Sequence, residues 1–424
     1  MHLSALAKIK NDKTLINGLL FSVYAFLGRG ISFLLLLVLA NYIPPEDYGK
    51  LSLFNTVVMV MGFFMAFSTS GYINISYFKE NSNVFRQDFT TVTVFLLLSA
   101  ILVAVVILLF GDYLSFISGV SSLFLWYALI ISILTVLFHI HMDYYRIKEN
   151  ISKYGILNLG NAALNAVVTL ILVISFSYGY VGRIDAQLYI TLLFGVIAVI
   201  YFVYNDFFDF NIQSERIKLI LFWGLPQIPH LATNWIRQGC DQYIINYFYS
   251  TYEVGIFSFT INLVGTITMI GIAFNSSNSV TIYKILSDSS VENKSSVLNK
   301  NTKNIFWIYL ISTIVILLTA EIFVPILLPQ YIPSLSFFRI MAIYAFLSCL
   351  YFLFCNYLFY YERTRQLMYI TFTTAIVHLL LSLLLTRYSL YITAIVYVVS
   401  QSLCVMIVYW YSQRIIKEHK IIRK

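Results

Sequence analysis

The sequence predicts an all-α, polytopic membrane protein of about twelve transmembrane helices, arranged as two six-helix lobes around a central cavity. Three observations carry that reading. The 424 residues hold twelve long apolar runs, the basic residues between them alternate sides, and a turn motif recurs about half a chain length later. Each run has the roughly 20 residues a helix needs to cross a bilayer. With 60% hydrophobic and only 11% charged residues, little sequence remains for a soluble domain.

The first run, 15–42, follows a basic segment as the apolar part of a signal peptide would. It is too long for one and no small-residue cleavage site follows, so it reads as an uncleaved first helix. Runs two to six lie near 51–75, 89–110, 121–141, 154–176 and 187–204. Runs seven to twelve lie near 219–240, 255–275, 305–328, 337–360, 367–385 and 391–411. One set of connections, with both termini, collects 21 lysines and arginines, whereas the other holds only Lys50, Arg183 and Arg387. The positive-inside bias therefore places both termini in the cytoplasm. The net charge of +8 is explained by this anchoring and calls for no nucleic-acid partner.

Outward connections are short, the longest being 239–254, and leave no room for a folded domain. The inward connection 276–304 is rich in Ser, Asn and Lys and is expected to form a short surface helix with a mobile linker. No glycine-rich phosphate loop occurs, so the chain is not an ATPase on its own. Cys240, Cys349, Cys355 and Cys404 fall in or at the ends of apolar runs without metal-ligand spacing. His139 and His141 lack a third ligand, and no cofactor is expected.

The turn after run one carries Asn41-Tyr42, the acidic Glu46 and Asp47, then Gly49 and Ser52. Asn246-Tyr247, Glu253, Gly255 and Ser258 follow run seven, with Gly255 lying 206 residues after Gly49. Chance similarity of two short turns is the plainer explanation. Against it, both copies follow a run that enters from the cytoplasm. The lobes would be 1–210 and 211–424, joined through the polar stretch 205–218.

Polar residues inside the runs nominate the site. In run seven Gln227, His230, Asn234, Arg237 and Asp241 recur at steps of three and four and share one helix face. An arginine or aspartate at mid-membrane costs about 2.5–3.5 kcal/mol, so this face must meet protein or water. The plainer alternative is a structural network in which Asp241 pairs with Arg237. Pro226 and Pro229 interrupt the first turns of this run and permit a bend. With the turn motifs aligned, Arg29 in run one falls opposite Asn234, one turn from Arg237. Two guanidinium groups suit a phosphate or diphosphate, because the planar fork forms paired charge-assisted bonds. Each could instead bond backbone carbonyls or reach an interface. Milder stripes join Asn158, Asn161 and Asn165 in run five, and Thr371, Thr374, His378 and Ser382 in run eleven. Asn55 and Asn262 are near-equivalent in the repeat. Such amides and hydroxyls suit a sugar-lined cavity and serve equally as interhelical glue. Glu321, Asp241 and His378 are the groups that could bind a coupling proton or sodium, whereas Arg339 is expected to snorkel.

Four segments carry a family resemblance. They are Leu39-Ala-Asn-Tyr-Ile-Pro-Pro-Glu-Asp-Tyr-Gly49, Gly224-Leu-Pro-Gln-Ile-Pro229, Cys240-Asp-Gln-Tyr-Ile-Ile245 leading to Glu253-Val-Gly-Ile-Phe257, and Pro325-Ile-Leu-Leu-Pro-Gln-Tyr331 before Phe338-Arg-Ile. The chain resembles the Wzx-type O-antigen flippases, in the polysaccharide-exporter branch of the MATE-like (MOP) superfamily. The family usually reads Asp-Arg where this chain has Asp241-Gln242. The resemblance implies a MATE-like fold and movement of undecaprenyl-diphosphate-linked oligosaccharide across a bacterial inner membrane by alternating access. Cationic cavity residues would hold the diphosphate, and the polyprenyl tail would stay among membrane lipids. Glycan polymerase machinery would act next. Two other readings stand beside it. A membrane glycan polymerase or ligase would use the same lipid-linked substrate, but no large outer loop with catalytic residues is present. A multidrug exporter of the same fold would favour an acidic cavity for cationic drugs, whereas Arg29 and Arg237 make this one basic.

Overall fold

The computed structural model describes residues 13–66, 70–224, 232–233, 235–237, 239–287 and 294–418, all in helices or short connections. Among the described residues, ten helical stretches are long and apolar enough to cross a membrane, and they match ten of the twelve runs. The first run is helix α1, Lys13–Leu39, whose apolar part Val23–Leu39 is shorter. The seventh run is interrupted by residues outside the described set.

Local chemistry sets the ends of these helices. Helix α2, Pro45–Ala66, begins with proline at its first position, where the missing N–H leaves no bond unmade. A short α3, Ser70–Lys79, completes the second run. Asn81 caps α4, Ser82–Ser118, by accepting from the Val84 N–H, and Gly119 ends it at φ 67°. This helix kinks at Phe110 and continues past the apolar run, so the outward connection is shorter still. Helix α5, Ser122–Ile147, and α6, Ile151–Leu170, meet at Asn150, which caps α6 by accepting from the Lys153 N–H. A π-helical turn, Ile171–Ser175, closes α6 before α7, Gly179–Tyr204, and α8, Ser214–Gly224. The remaining helices are α9 (Cys240–Phe248), α10 (Thr251–Ser287), α11 (Lys294–Leu327), α12 (Ser334–Tyr360), α13 (Thr364–Leu385) and α14 (Leu390–Glu418).

The connection 276–304 departs from the sequence expectation. Its described parts are continuations of α10 and α11 rather than a helix lying on the surface. Ile282, Leu286 and Leu298 are buried there, and Asn301 donates to Asn278 at 2.7 Å. Burial of this seam holds polar-rich sequence in continuous helix where composition suggested a short surface helix and a linker. The expected linker falls at 288–293, outside the described residues.

The chain forms two compact units, 1–231 and 232–424. In the first, α1 packs on α6, α2 on α5 and α4, α5 on α4 and α7, and α6 on α7. The second repeats this scheme: α9 packs on α13, α10 on α12 and α11, α12 on α11 and α14, and α13 on α14. Run for run, the helix pairings recur with an offset of six. Interior packing differs in chemistry. The first unit is filled at one end by aromatic rings, among them Phe85, Phe89, Tyr144, Phe202 and Phe207. The second uses Cys355, Leu358, Leu367, Ile370, Cys404 and Val408, and its cysteines are free.

The polar stretch 205–218 is docked on the first unit. The Asp209 N–H donates to Thr90 Oγ1 at 2.8 Å, and Gln87 donates to the Asp209 carboxylate at 3.2 Å. Arg216 of α8 forks the fully buried Asp88 and reaches Glu80 at 3.0 Å, while Ser76 donates to Asp88 at 2.6 Å. The hydrogen bonds to Asp88, with those to Glu80 behind them, raise the Arg216 pKa above its usual value.

Candidate functional site

In the second unit the polar faces of three helices meet. Arg237 donates from Nη1 to Gln401 Oε1 and from Nη2 to Thr374 Oγ1, both at 2.5 Å. Thr374 can accept because its own hydroxyl proton goes back to the Ile370 carbonyl at 2.8 Å. Nε of Arg237 is buried without a partner. The i, i+4 pairing of Arg237 with Asp241 does not form, and both partners of the guanidinium are neutral.

Asp241, fully buried at the start of α9, faces His378 instead. Its Oδ2 lies 2.8 Å from His378 Nε2, and His378 Nδ1 lies 3.0 Å from Ser400 Oγ. The imidazole stands edge-on to Tyr397, with centroids 4.7 Å apart. Ser400 also reaches the Tyr397 carbonyl at 3.2 Å. This arrangement satisfies two protonation states. A neutral imidazole donates to Asp241 and accepts from Ser400. An imidazolium donates both ways, and the Ser400 proton rotates to the Tyr397 carbonyl. The buried Tyr397 hydroxyl also lies beside the Asp241 carboxylate.

The run-eleven stripe of Thr371, Thr374, His378 and Ser382 is buried throughout, as a face turned toward protein requires. Asn262 is half-buried and donates to the Ser258 carbonyl at 3.0 Å. Glu321 is taken up by Arg339, which forks both its oxygens at 2.7 Å near a helix end. Arg339 thus has a carboxylate partner rather than only an interface to reach.

In the first unit α1 and α6 touch where Gly28 meets Asn158. A Cβ at position 28 would stand 2.4 Å from Asn158 Oδ1, so only glycine permits this approach. That Oδ1 is buried without a hydrogen-bond partner. The next residue, Arg29, is exposed and makes no hydrogen bond or ion pair among the described residues. Asn161 is half-buried one turn along α6. Asn165 accepts from Arg183 of α7, which also donates to Thr169 at 2.9 Å. Asn55 is exposed. Gln227, His230 and Asn234 lie outside the described residues.

Sequence reading missed three participants. Ser400, Gln401 and Tyr397 sit on α14, where isolated Ser-Gln pairs in an apolar helix give little signal. Arg183 was read as a topological marker, although Asn165 and Thr169 recur at a step of four opposite it. No group of three or more metal-ligating side chains occurs among the described residues. His141 is buried against Tyr201, Tyr145 and Phe202, at 4.5, 4.9 and 5.4 Å, with neither ring nitrogen bonded.

Apolar helices of spanning length, paired in two like units, define a multi-pass membrane protein. Solved structures place it in a fold. An inward-facing multidrug resistance MATE family transporter of the MOP superfamily is 13% identical, with 95% of each chain covered and a TM-score of 0.70. An outward-facing conformation of such a transporter is 14% identical over 95% of this chain and 96% of that one, with a TM-score of 0.62. A MOP superfamily transporter from Pyrococcus furiosus, with a binding pocket described as reversed in polarity, is 15% identical over 95% and 96%, with a TM-score of 0.60. The fold is therefore that of the MATE transporters. No curated protein matches the sequence. A model of the polysaccharide biosynthesis protein family matches residues 15–283, more than half of the chain, and the chain belongs to that family.

Proposed function

We propose that this protein moves undecaprenyl-diphosphate-linked oligosaccharide, an O-antigen repeat unit or a similar glycan, from the cytoplasmic to the periplasmic leaflet of a bacterial inner membrane. Both termini are cytoplasmic in this reading, the lobes 1–210 and 211–424 alternate access, and no covalent bond changes. One observation carries it. Each unit offers, from the first helix of its repeat, an arginine with no carboxylate partner among the described residues: Arg29 with none, and Arg237 with only Gln401 and Thr374. An anion with two or more acceptor oxygens is the partner such forks lack. Membership in the polysaccharide biosynthesis family supports a glycan on that anion. Asn158 and Asn161 would read sugar hydroxyls. Asp241 with His378 would carry a coupling proton, because Ser400 satisfies both protonation states.

A multidrug exporter of cationic compounds would need a free acid, and here Asp241 is already engaged by His378. The deciding experiment is the fate of the substrate in a deletion strain. Single lipid-linked repeat units should accumulate facing the cytoplasm, and polymer should be lost because the glycan polymerase never receives them. Accumulation on the periplasmic side would replace the flippase with a polymerase or ligase. Arg29→Ala and Arg237→Ala, at normal membrane levels, should reproduce the deletion phenotype.

A further inference from the structure

The end of the first unit opposite the aromatic cluster holds a cation that the proposed function does not use. The connections that the charge bias assigns to the outside hold three basic residues, and Arg339 at the start of α12 is already paired with Glu321. Lys50 is neutralised by Glu46 at 3.1 Å and Asp47 at 3.0 Å. Arg387 is exposed and lies over the Tyr388 ring at 4.7 Å. Arg183 is different, because it is half-buried between α6 and α7 and forms no ion pair among the described residues. One nitrogen, Nη1, serves both Asn165 and Thr169, which leaves the other edge of the fork unused by them. Asp185, two positions on, projects to the far side of α7 and does not pair with it.

The local backbone keeps it there. The π-helical turn Ile171–Ser175 ends α6, and Gly182 lets α7 close against that turn. A Cβ at position 182 would stand 2.9 Å from the Tyr178 Cβ and 3.1 Å from the Leu172 carbonyl carbon. π-turns of this kind concentrate at functional sites. A half-buried cation lacking a counter-charge is costly, and a ligand anion would offset that cost. The asparagine face of α6 also runs from Asn158, beside Gly28 and Arg29, to Asn165 at Arg183. Seven residues of helix separate them, about 10 Å.

We infer that Arg183, seated on Asn165 and Thr169, is a second anion station, which binds a phosphate-bearing headgroup at the far end of a polar track that starts at Arg29. If the ligand is the lipid-linked substrate, the inference rests on the proposed function, and the station receives its diphosphate before release. A phospholipid headgroup has the same chemistry.

The test uses the full chain purified in detergent. Phenylglyoxal modifies guanidinium groups, and mass spectrometry reads each arginine. Inorganic pyrophosphate should slow modification of Arg183 about tenfold relative to chloride at equal ionic strength. In phosphatidylcholine nanodiscs, Arg183→Gln should weaken binding about tenfold, and Arg183→Lys less. A loss with undecaprenyl diphosphate identifies the substrate headgroup, and a loss confined to phosphatidylglycerol identifies a membrane lipid; either supports the station. Equal modification with and without pyrophosphate, together with wild-type binding of both lipids by Arg183→Gln, overturns it and leaves a plain cross-link between α6 and α7. The labelling arm needs no variant, so a misfolded substitution does not obscure the result. Normal export by Arg29→Ala with Arg183 still protected would sink the flippase site alone.

Discussion

The α1–α6 pair of the first unit and the α9–α13 pair of the second hold equivalent places in the repeat, yet they are joined by opposite chemistry. In the first, helices meet through the absence of a side chain: Gly28 admits Asn158, and Arg29 beside it stays exposed. In the second, they meet through side chains, with Asp241 of α9 bonded to His378 and Arg237, just before α9, to Thr374. The same helix pairing thus leaves an exposed guanidinium in one unit and a buried, bonded network in the other. The difference predicts that the first pair serves ligand binding alone, whereas the second couples binding to the local fold and to a proton.

Arginine substitutions should separate the two pairs most strongly. Arg29→Ala should lower export about a hundredfold while thermal stability of the purified protein stays at the wild-type value. Arg237→Ala should lower export similarly and also lower Tm, because Gln401 and Thr374 lose their donor. Equal Tm losses in both variants would erase the distinction.

The dyad comes next. Asp241→Asn preserves shape but removes the charge that His378 faces, at a cost of about 1–3 kcal/mol. Export in this variant should fall about tenfold and become insensitive to a protonophore that slows the wild type. Retained sensitivity would take the coupling proton away from Asp241. Ser400→Ala should show a weaker form of the same defect, since it removes the hydroxyl that rotates between the two protonation states.

The smallest effect is expected outside both pairs. Glu321 and Arg339 form an accessible fork, which solvent screens so that it adds little. Glu321→Gln should leave export and its protonophore response unchanged. If it instead matches Asp241→Asn, coupling belongs at the end of α11 and the contrast between the helix pairs loses its meaning.

Much of this was legible from composition and spacing. Apolar runs and charge alternation determined the spanning helices, because backbone groups in lipid must bond within their own segment and cations resist translocation. The recurring Asn-Tyr, Gly and Ser turn pointed to the repeat that the matching helix pairings display. Periodicity placed Arg237 and Asp241 on one face, and Thr374 and His378 on another. Periodicity stops at one helix, however. Asp241 chose His378 over Arg237 because α13 and α14 bring neutral acceptors to the arginine and an imidazole to the acid, and no local rule encodes which helix arrives. Likewise, residues 276–304 read as surface and linker until the buried seam of Ile282, Leu286 and Leu298 drew both ends into helix. Arg183 counted only as one outer charge; the π-turn after Leu170 and the close approach at Gly182 turned it inward. Sequence alone determined which segments enter the membrane, since that depends on each segment against lipid. Tertiary structure decided which polar groups meet, since that depends on long-range packing among helices whose apolar faces are nearly interchangeable.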